Sequence, residues 1–255
     1  MHLRILGCHG GETPKHRTSS FLVGDSLAID AGAITSGLSL REQARIQSVL
    51  VSHPHMDHIR DLATLADNRC QQGGSTLDIV GVPATIAALE KHFFNDIIWP
   101  DFTKIDAKDG PTVRFVEVQP NEVTDVDGYE VTPVMVNHTV DTSAFIIRHR
   151  DQSIVYGGDT GPTEELWTHI NALDDLQAIM MEVSFPNDEA QLARDSKHLT
   201  PESLGAELDK LTQSEELPIL LYHIKPTFEQ RVLRELASLR GRNLQILQLH
   251  EEILF

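Results

Sequence analysis

The sequence predicts an α/β fold of the α+β kind, built as a four-layer αββα sandwich in which two facing sheets are covered by helices. Two observations lead there. The first part of the chain is rich in short apolar runs separated by Gly and Asp, whereas strands and helices alternate in the second part. His and Asp residues also recur just past the ends of apolar strands, where side chains of neighbouring strands converge on one sheet edge. A length of 255 residues fits one large unit or two small ones, and the expectation is a single domain over 1–255.

The elements follow in order. Leu3–Leu6, Ser20–Val23 and Leu27–Ile29 read as strands, and Ser48–Val51 is a β-branched run that stops at Ser52. Pro54 lacks an N–H and fixes φ, so His53 to His58 lie in a loop past that strand. Ile59, Leu62, Ala63 and Ala66 then follow helical spacing, which puts Asp57 near a helix start. Leu77–Val80 is a strand and Val82–His92 a helix. Val113–Val118, Glu130–Val136, Ala144–Arg148 and Ser153–Tyr156 are strands, with Asp151-Gln152 as a hairpin turn. Pro162–Ile170 is a helix with Pro at its first position and Glu164 and Glu165 in its first turn. Ala178–Val183 is a strand, Thr200 caps a further helix, Ile219–Leu221 is a buried strand and Pro226–Leu239 a helix.

Composition narrows the function. The net charge of −17 opposes non-specific binding to nucleic acid or to an anionic membrane, while leaving a small anionic substrate open. There is no run of about 18 apolar residues, and Met1 to Gly7 has no signal-peptide core, so a cytoplasmic protein is expected. Two cysteines, Cys8 and Cys70, make no disulfide framework and no CxxC pair; both are expected to be reduced, and any metal must be held by His, Asp and Glu.

His53-Pro54-His55-Met56-Asp57-His58 places three imidazoles and a carboxylate within six residues. Neutral ring nitrogens and carboxylate oxygens on a short turn suit a divalent cation. Four such groups exceed what one open metal takes from one segment, so the spacing points to two ions. His138, Asp159 and His223 each come at or just past a strand end, and Gly157-Gly158 let the chain turn before Asp159. Any one of them alone reads more readily as a turn residue; together with the loop they read as a constellation.

That constellation, in this order from Gly7 to His223, resembles the metallo-β-lactamase superfamily of metal-dependent hydrolases. The resemblance implies a metallo-β-lactamase-like sandwich with two divalent ions, zinc first among them and manganese or iron(II) compatible. By it, His53, His55 and His138 take one ion, Asp57, His58 and His223 the other, and Asp159 bridges them. Two ions about 3.5–4 Å apart would then hold a bridging hydroxide as the attacking group. Within the superfamily the chain looks similar to the class II cyclic-nucleotide phosphodiesterases, on Arg17 to Val23, Phe94 to Phe102, Glu182 to Asn187 and His198-Leu199-Thr200-Pro201. Met56, Arg60-Asp61 and His9 depart from that family's usual residues.

The likeness implies hydrolysis of 3′,5′-cyclic nucleotides, cAMP or cGMP, to 5′-monophosphates. Asp57, His198 and Glu182 are the residues expected to act in the chemistry. His198 would donate a proton to the departing 3′-oxygen or bind the phosphate, with Glu182 orienting or charging its ring; read without the likeness, it is a loop histidine before a helix cap. Thr18, Ser19, Trp99 and His198 are the candidate substrate contacts. Phe93, Phe94, Trp99 and Phe102 could stack a purine or pack among themselves, and Lys15-His16-Arg17 could meet a phosphate or form a solvated loop. The implied partner is a small cyclic nucleotide, without nucleic-acid polymer or membrane; oligomeric state is left open, a homodimer included. Rival readings are RNA 3′-end processing, hydrolysis of lactones, thioesters or sulfate esters on the same scaffold, and a non-catalytic metal or cyclic-nucleotide sensor.

Overall fold

A computed structural model describes all 255 residues. The first sheet collects β1 (His2–Gly7), β2 (Ser20–Val23), β3 (Leu27–Ile29), β4 (Ser48–Leu50) and β5 (Leu77–Gly81). A two-residue ribbon, β6 (Asp106–Ala107) with β7 (Gly110–Pro111), precedes its last inner strand, β8 (Val113–Glu117). The second sheet runs through β9 (Thr124–Val126), β10 (Tyr129–Val136), β11 (Thr142–His149), β12 (Gln152–Tyr156), β13 (Leu176–Glu182), β14 (Pro218–Tyr222) and β15 (Asn243–Ile246). The last strand, β16 (Glu252–Leu254), returns to the first sheet beside β1. The strand orders are β16-β1-β2-β3-β4-β5-β8 and β15-β14-β13-β12-β11-β10-β9.

Side-chain alternation with a period of two builds the layers. Leu3 and Ile5 of β1, Phe21 and Val23 of β2, Ile154 and Tyr156 of β12, and Ala178 and Met180 of β13 meet in one apolar core between the sheets. Their neighbours Leu6 and Leu22 face outward from the first sheet into a second core. Val155, Ile179 and Met181 face outward from the second sheet into a third. Each fully buried Leu, Ile or Phe contributes roughly 1.5–3 kcal/mol. A one-residue slip in any of these strands would exchange two cores at once, so the register is strongly specified.

Helices cover the outer faces. On the first sheet lie α1 (Ile34–Gly37), α2 (Leu40–Gln43), α3 (Met56–Ile59), α4 (Leu62–Gln71) and α5 (Pro83–His92). On the second lie α6 (Glu165–Asn171), α7 (Ala190–Ser196), α8 (Pro201–Leu208) and α9 (Glu229–Leu236). None is long and apolar enough to cross a membrane. Thr200 caps α8: its hydroxyl accepts the Ser203 N–H while the Ser203 hydroxyl accepts the Thr200 N–H. Both cysteines are free.

Three expectations shift. The helix expected from Pro162 begins at Glu165, so only Glu165 lies in its first turn. Tertiary partners hold the preceding segment in a bend outside the helix: the Thr163 N–H donates to Glu207 and the Pro162 carbonyl accepts from Asn137. The β11–β12 hairpin turns at Arg150-Asp151, one residue early, because Arg150 takes the left-handed φ of 56° and Gln152 already pairs with His149. The last helix opens with a 3-10 turn over Pro226–Phe228 and ends at Leu236. Strands β9, β15 and β16 carry too few buried residues to announce themselves in sequence.

Strands β3, β4, β5 and β8 run parallel, as do β12 to β15, and β10 points the same way as β12 across two antiparallel pairings. The C-terminal ends of β4, β10, β12, β13 and β14 therefore open on a common edge of the sandwich, where loops are free to carry chemistry.

Candidate metal centre

The β4–α3 loop turns His53 and His55, and the single turn of α3 turns Asp57 and His58, toward the segments that follow β10, β12 and β14. Ligand atoms of His53, His55 and His138 lie within 4.8 Å of one another, as do those of Asp57, His58, Asp159 and His223. All seven residues expected as ligands are thus brought together in two adjoining groups. Asp159 Oδ2 stands 3.2 Å from both His58 Nε2 and His223 Nε2 and 3.9 Å from His53 Nε2, between the groups. Asp57 Oδ2 is 3.3 Å from His223 Nε2, and His55 Nδ1 faces His138 Nε2 at 3.3 Å. Gly158 takes the left-handed φ of 65° that turns the chain into Asp159.

Four of the five imidazoles, those of His53, His58, His138 and His223, are held from behind. The Ser52 N–H and hydroxyl donate to the two oxygens of Asp30, both at 2.8 Å, and the same hydroxyl accepts from His53 Nδ1 at 3.0 Å. His58 Nδ1 and the Tyr156 hydroxyl each donate to Asp30 Oδ2 at 2.6 Å. His138 Nδ1 donates to the Lys197 carbonyl at 3.1 Å. His223 Nδ1 donates to the Ser184 hydroxyl at 2.9 Å, which passes its own proton to Glu182 Oε2 at 2.8 Å. In every case the nitrogen that faces the cluster is left as a lone pair, the arrangement that orients metal-binding histidines.

Sequence reasoning missed Asp30, Ser52, Ser184 and Lys197. Asp30 had a readable signal, since it too directly follows an apolar strand, Leu27–Ile29. Asp30 and His223 both hold left-handed φ values, 53° and 66°. Such a conformation costs about 1–3 kcal/mol in a residue with a side chain and persists where surroundings over-determine it. Here the bonds to Asp30, and the 2.7 Å bond from the His223 N–H to the Cys8 carbonyl, supply that constraint.

The charge states fit a cation. Burial holds His53 well below the usual imidazole range, and it lowers His55, His223 and His138, the last to about 4. Burial favours neutral Asp159, but His223 and His58 outweigh it and keep its carboxyl well below the usual range. Burial likewise disfavours a charged His58, yet Asp159 and Asp30 on either side draw it toward the protonated form. Positive charge is wanted at that point, and a divalent ion supplies it without a proton. Three buried atoms in the cluster, His53 Nε2, His58 Nε2 and Asp159 Oδ1, have no hydrogen-bond partner. Each such atom costs about 1–3 kcal/mol, so three converging from two distant segments mark where a cation fits.

Beside the cluster, His198 Nδ1 bonds Glu182 Oε1 at 2.7 Å. Its ring stacks 5.2 Å from that of His223 and lies 5.0 Å from that of His138. Burial pulls His198 down, but the Glu182 carboxylate prevails and raises it above the ordinary value. The protonated form of His198 is thereby favoured next to the metal-type groups.

The other candidates are placed as follows. Thr18 and Ser19 are buried under the β4–α3 loop; the Thr18 hydroxyl donates to the Gly32 carbonyl, while the Ser19 hydroxyl has no partner. Gly32 is needed there, because a Cβ would stand 2.3 Å from the Asp57 carbonyl oxygen. Trp99 packs on the outer core of the first sheet with Phe93, Phe94 and Phe102, which favours packing for that aromatic group. Arg17 pairs with Glu12 at 3.1 Å and His16 with Glu229 at 3.6 Å.

A family model for the cAMP phosphodiesterases class-II matches residues 37–251. The chain belongs to this family. One relative, the probable 3′,5′-cyclic-nucleotide phosphodiesterase of Yersinia pestis, is 28% identical over 88% of this chain and 78% of its own. The solved structure of unliganded yeast PDE1 superposes with a TM-score of 0.84 at 22% identity, covering 100% of this chain and 99% of that one. The metallo-beta-lactamase fold protein YhfI from Bacillus subtilis follows with 0.78 at 19%, covering 99% and 98%. A ribonuclease Z of Mycobacterium sp. (strain KMS) is 30% identical over a shorter stretch, 56% of this chain and 54% of its own. The class-II phosphodiesterase chain is thus an enzyme, a hydrolase with the metallo-β-lactamase fold.

Proposed function

We propose that this enzyme hydrolyses 3′,5′-cyclic nucleotides to 5′-monophosphates with two divalent metal ions. The observation that carries the reading is the convergence of seven His and Asp side chains with partnerless buried atoms beside the His198–Glu182 pair, in a chain of this family. His53, His55 and His138 would hold one ion, Asp57, His58 and His223 the other, with Asp159 contacting both. Zinc suits this set of imidazoles and carboxylates, and manganese and iron(II) are compatible with it. When bound, the ions lower the pKa of water and offset charge on the attacking and leaving oxygens.

The chain's own groups do the rest. Asp30 holds His58 directly and His53 through Ser52, so both rings present a fixed nitrogen. Glu182 keeps the proton of His198 Nδ1 engaged, which leaves the far nitrogen to carry the proton that the 3′-oxygen needs as its bond to phosphorus breaks. Met56, the first residue of α3, is exposed and Asp57 beside it is half-buried, so substrate would enter on the α3 side.

The ribonuclease Z likeness supports RNA 3′-end processing as a second reading. The charge of −17 weighs against a long polyanion. Metal-loaded protein assayed against cyclic AMP, cyclic GMP, bis(p-nitrophenyl) phosphate and a lactone panel, with tRNA binding measured in parallel, tests the proposal. It expects 5′-monophosphate from a cyclic nucleotide and no tRNA shift. Turnover confined to lactones, or to tRNA, would replace it.

A further inference from the structure

A second group of metal-type side chains stands apart from the seven. One ring nitrogen each from His9 and His16 and a carboxylate oxygen of Glu229 lie within 4.8 Å of one another. The two rings meet edge to face with centroids 4.6 Å apart, and His16 Nε2 is 3.6 Å from Glu229 Oε2. That separation is near the ~3.3 Å edge of a tetrahedron with ~2.0 Å bonds. All three residues are half-buried, which leaves room for a water as a further ligand.

The groups behind these rings match those of a metal site. Thr13 Oγ1 takes the Lys15 N–H and lies 2.5 Å from His16 Nδ1, so a proton on Nδ1 is bound and Nε2 is bare toward Glu229. His9 Nδ1 sits 3.3 Å from both the N–H and the carbonyl of Arg17; in the tautomer that donates to the carbonyl, Nε2 is the lone pair. Burial and the neighbouring His16 lower His9 below its ordinary value, which keeps it a neutral donor.

We propose that His9, His16 and Glu229 form a third site for a divalent transition-metal ion, of the zinc class that takes imidazole and carboxylate together. The ion would clamp two segments that the backbone already joins. The His223 N–H donates to the Cys8 carbonyl, and the Gly10 N–H donates to the Ile224 carbonyl at 3.1 Å. Glu229 opens α9, six residues past His223. The site is a structural staple behind His223, tying the loop over residues 9–17 to the segment over 223–229.

Metal content of the full-length protein, measured after zinc loading and desalting, tests this independently of the two-ion reading. The comparison is between each protein and its His16→Gln or Glu229→Gln variant. Each substitution removes one equivalent of zinc, whatever the total in the parent. In a His53→Ala/His58→Ala/Asp159→Ala background, which leaves no more than two ligands for either ion of the main centre, one equivalent persists and is lost when His16→Gln is added. Cobalt(II) loading of that background gives visible d–d bands that His16→Gln abolishes. Equal zinc content with and without His16→Gln and Glu229→Gln in folded protein, judged by circular dichroism, would overturn the site. So would zinc that does not survive desalting.

Discussion

His58 Nδ1 and Asp30 Oδ2 lie 2.6 Å apart, both residues fully shielded from solvent. Asp30 belongs to neither ligand group, yet it fixes His58, fixes His53 through Ser52, and takes the Tyr156 hydroxyl from the opposite sheet. One carboxylate from the end of β3 thus sets the aim of two imidazoles, His53 of the β4–α3 loop and His58 of α3, and couples both to the facing sheet.

Asp30→Asn keeps the shape and the left-handed backbone that Asn tolerates, but weakens acceptance from His58. Loss of such an outer partner costs about 10–100-fold in metal affinity or activity. Zinc titration and turnover should both fall by that factor while circular dichroism stays unchanged. Tyr156→Phe, which removes one of the four bonds to Asp30, should cost less. Unaltered zinc affinity in Asp30→Asn would show that the carboxylate is only structural.

His198→Ala should lower kcat on a cyclic nucleotide by about 10²–10⁴-fold, the usual worth of a positioned acid. The loss should be much smaller on bis(p-nitrophenyl) phosphate, whose leaving group needs no proton. Glu182→Gln should follow the same pattern more weakly, because it acts through His198 Nδ1. An equal loss on both substrates would make His198 a phosphate ligand rather than a proton donor.

Glu42 gives a pH signature away from the site. Hydrogen bonds from the Ser39 hydroxyl and N–H, aided by Arg4, take its carboxyl from an ordinary 4.5 to about 2. A depressed folded-state value stabilises the fold fully above the unfolded value and loses that contribution as pH falls through the folded one. In metal-stripped protein, the urea midpoint gap between the parent and Glu42→Gln should be widest near neutrality, narrow below pH 4.5 and close near pH 2. A gap independent of pH would place the role of Glu42 in shape alone.

Much of this was legible in the chain itself. The His53–His58 loop, His138, Asp159 and His223 announce themselves because metal-type residues sit just past strands of strong apolar character, and topology brings those strand ends to one edge. The four layers follow from alternation in strands such as β1 and β12, whose two faces feed different cores. Supporting residues were harder to see. Ser52, Ser184 and the Lys197 carbonyl act through contacts between distant segments, and a lone serine or a backbone oxygen carries no spacing signal. The start of α6 shifts for a related reason: Pro162 is a good first helical residue locally, but partners from Asn137 and Glu207 hold that segment in a bend outside the helix.

Asp159 is the group common to both sets of candidate ligands, so hydrolysis of cyclic AMP by the Asp159→Ala protein tests the central claim most directly. With the parent stripped by chelator and reloaded with zinc as reference, the account predicts that stripping abolishes 5′-monophosphate formation, that zinc restores it, and that Asp159→Ala stays inactive at the same zinc concentration while remaining folded. Hydrolysis by folded Asp159→Ala at the parent rate would contradict it.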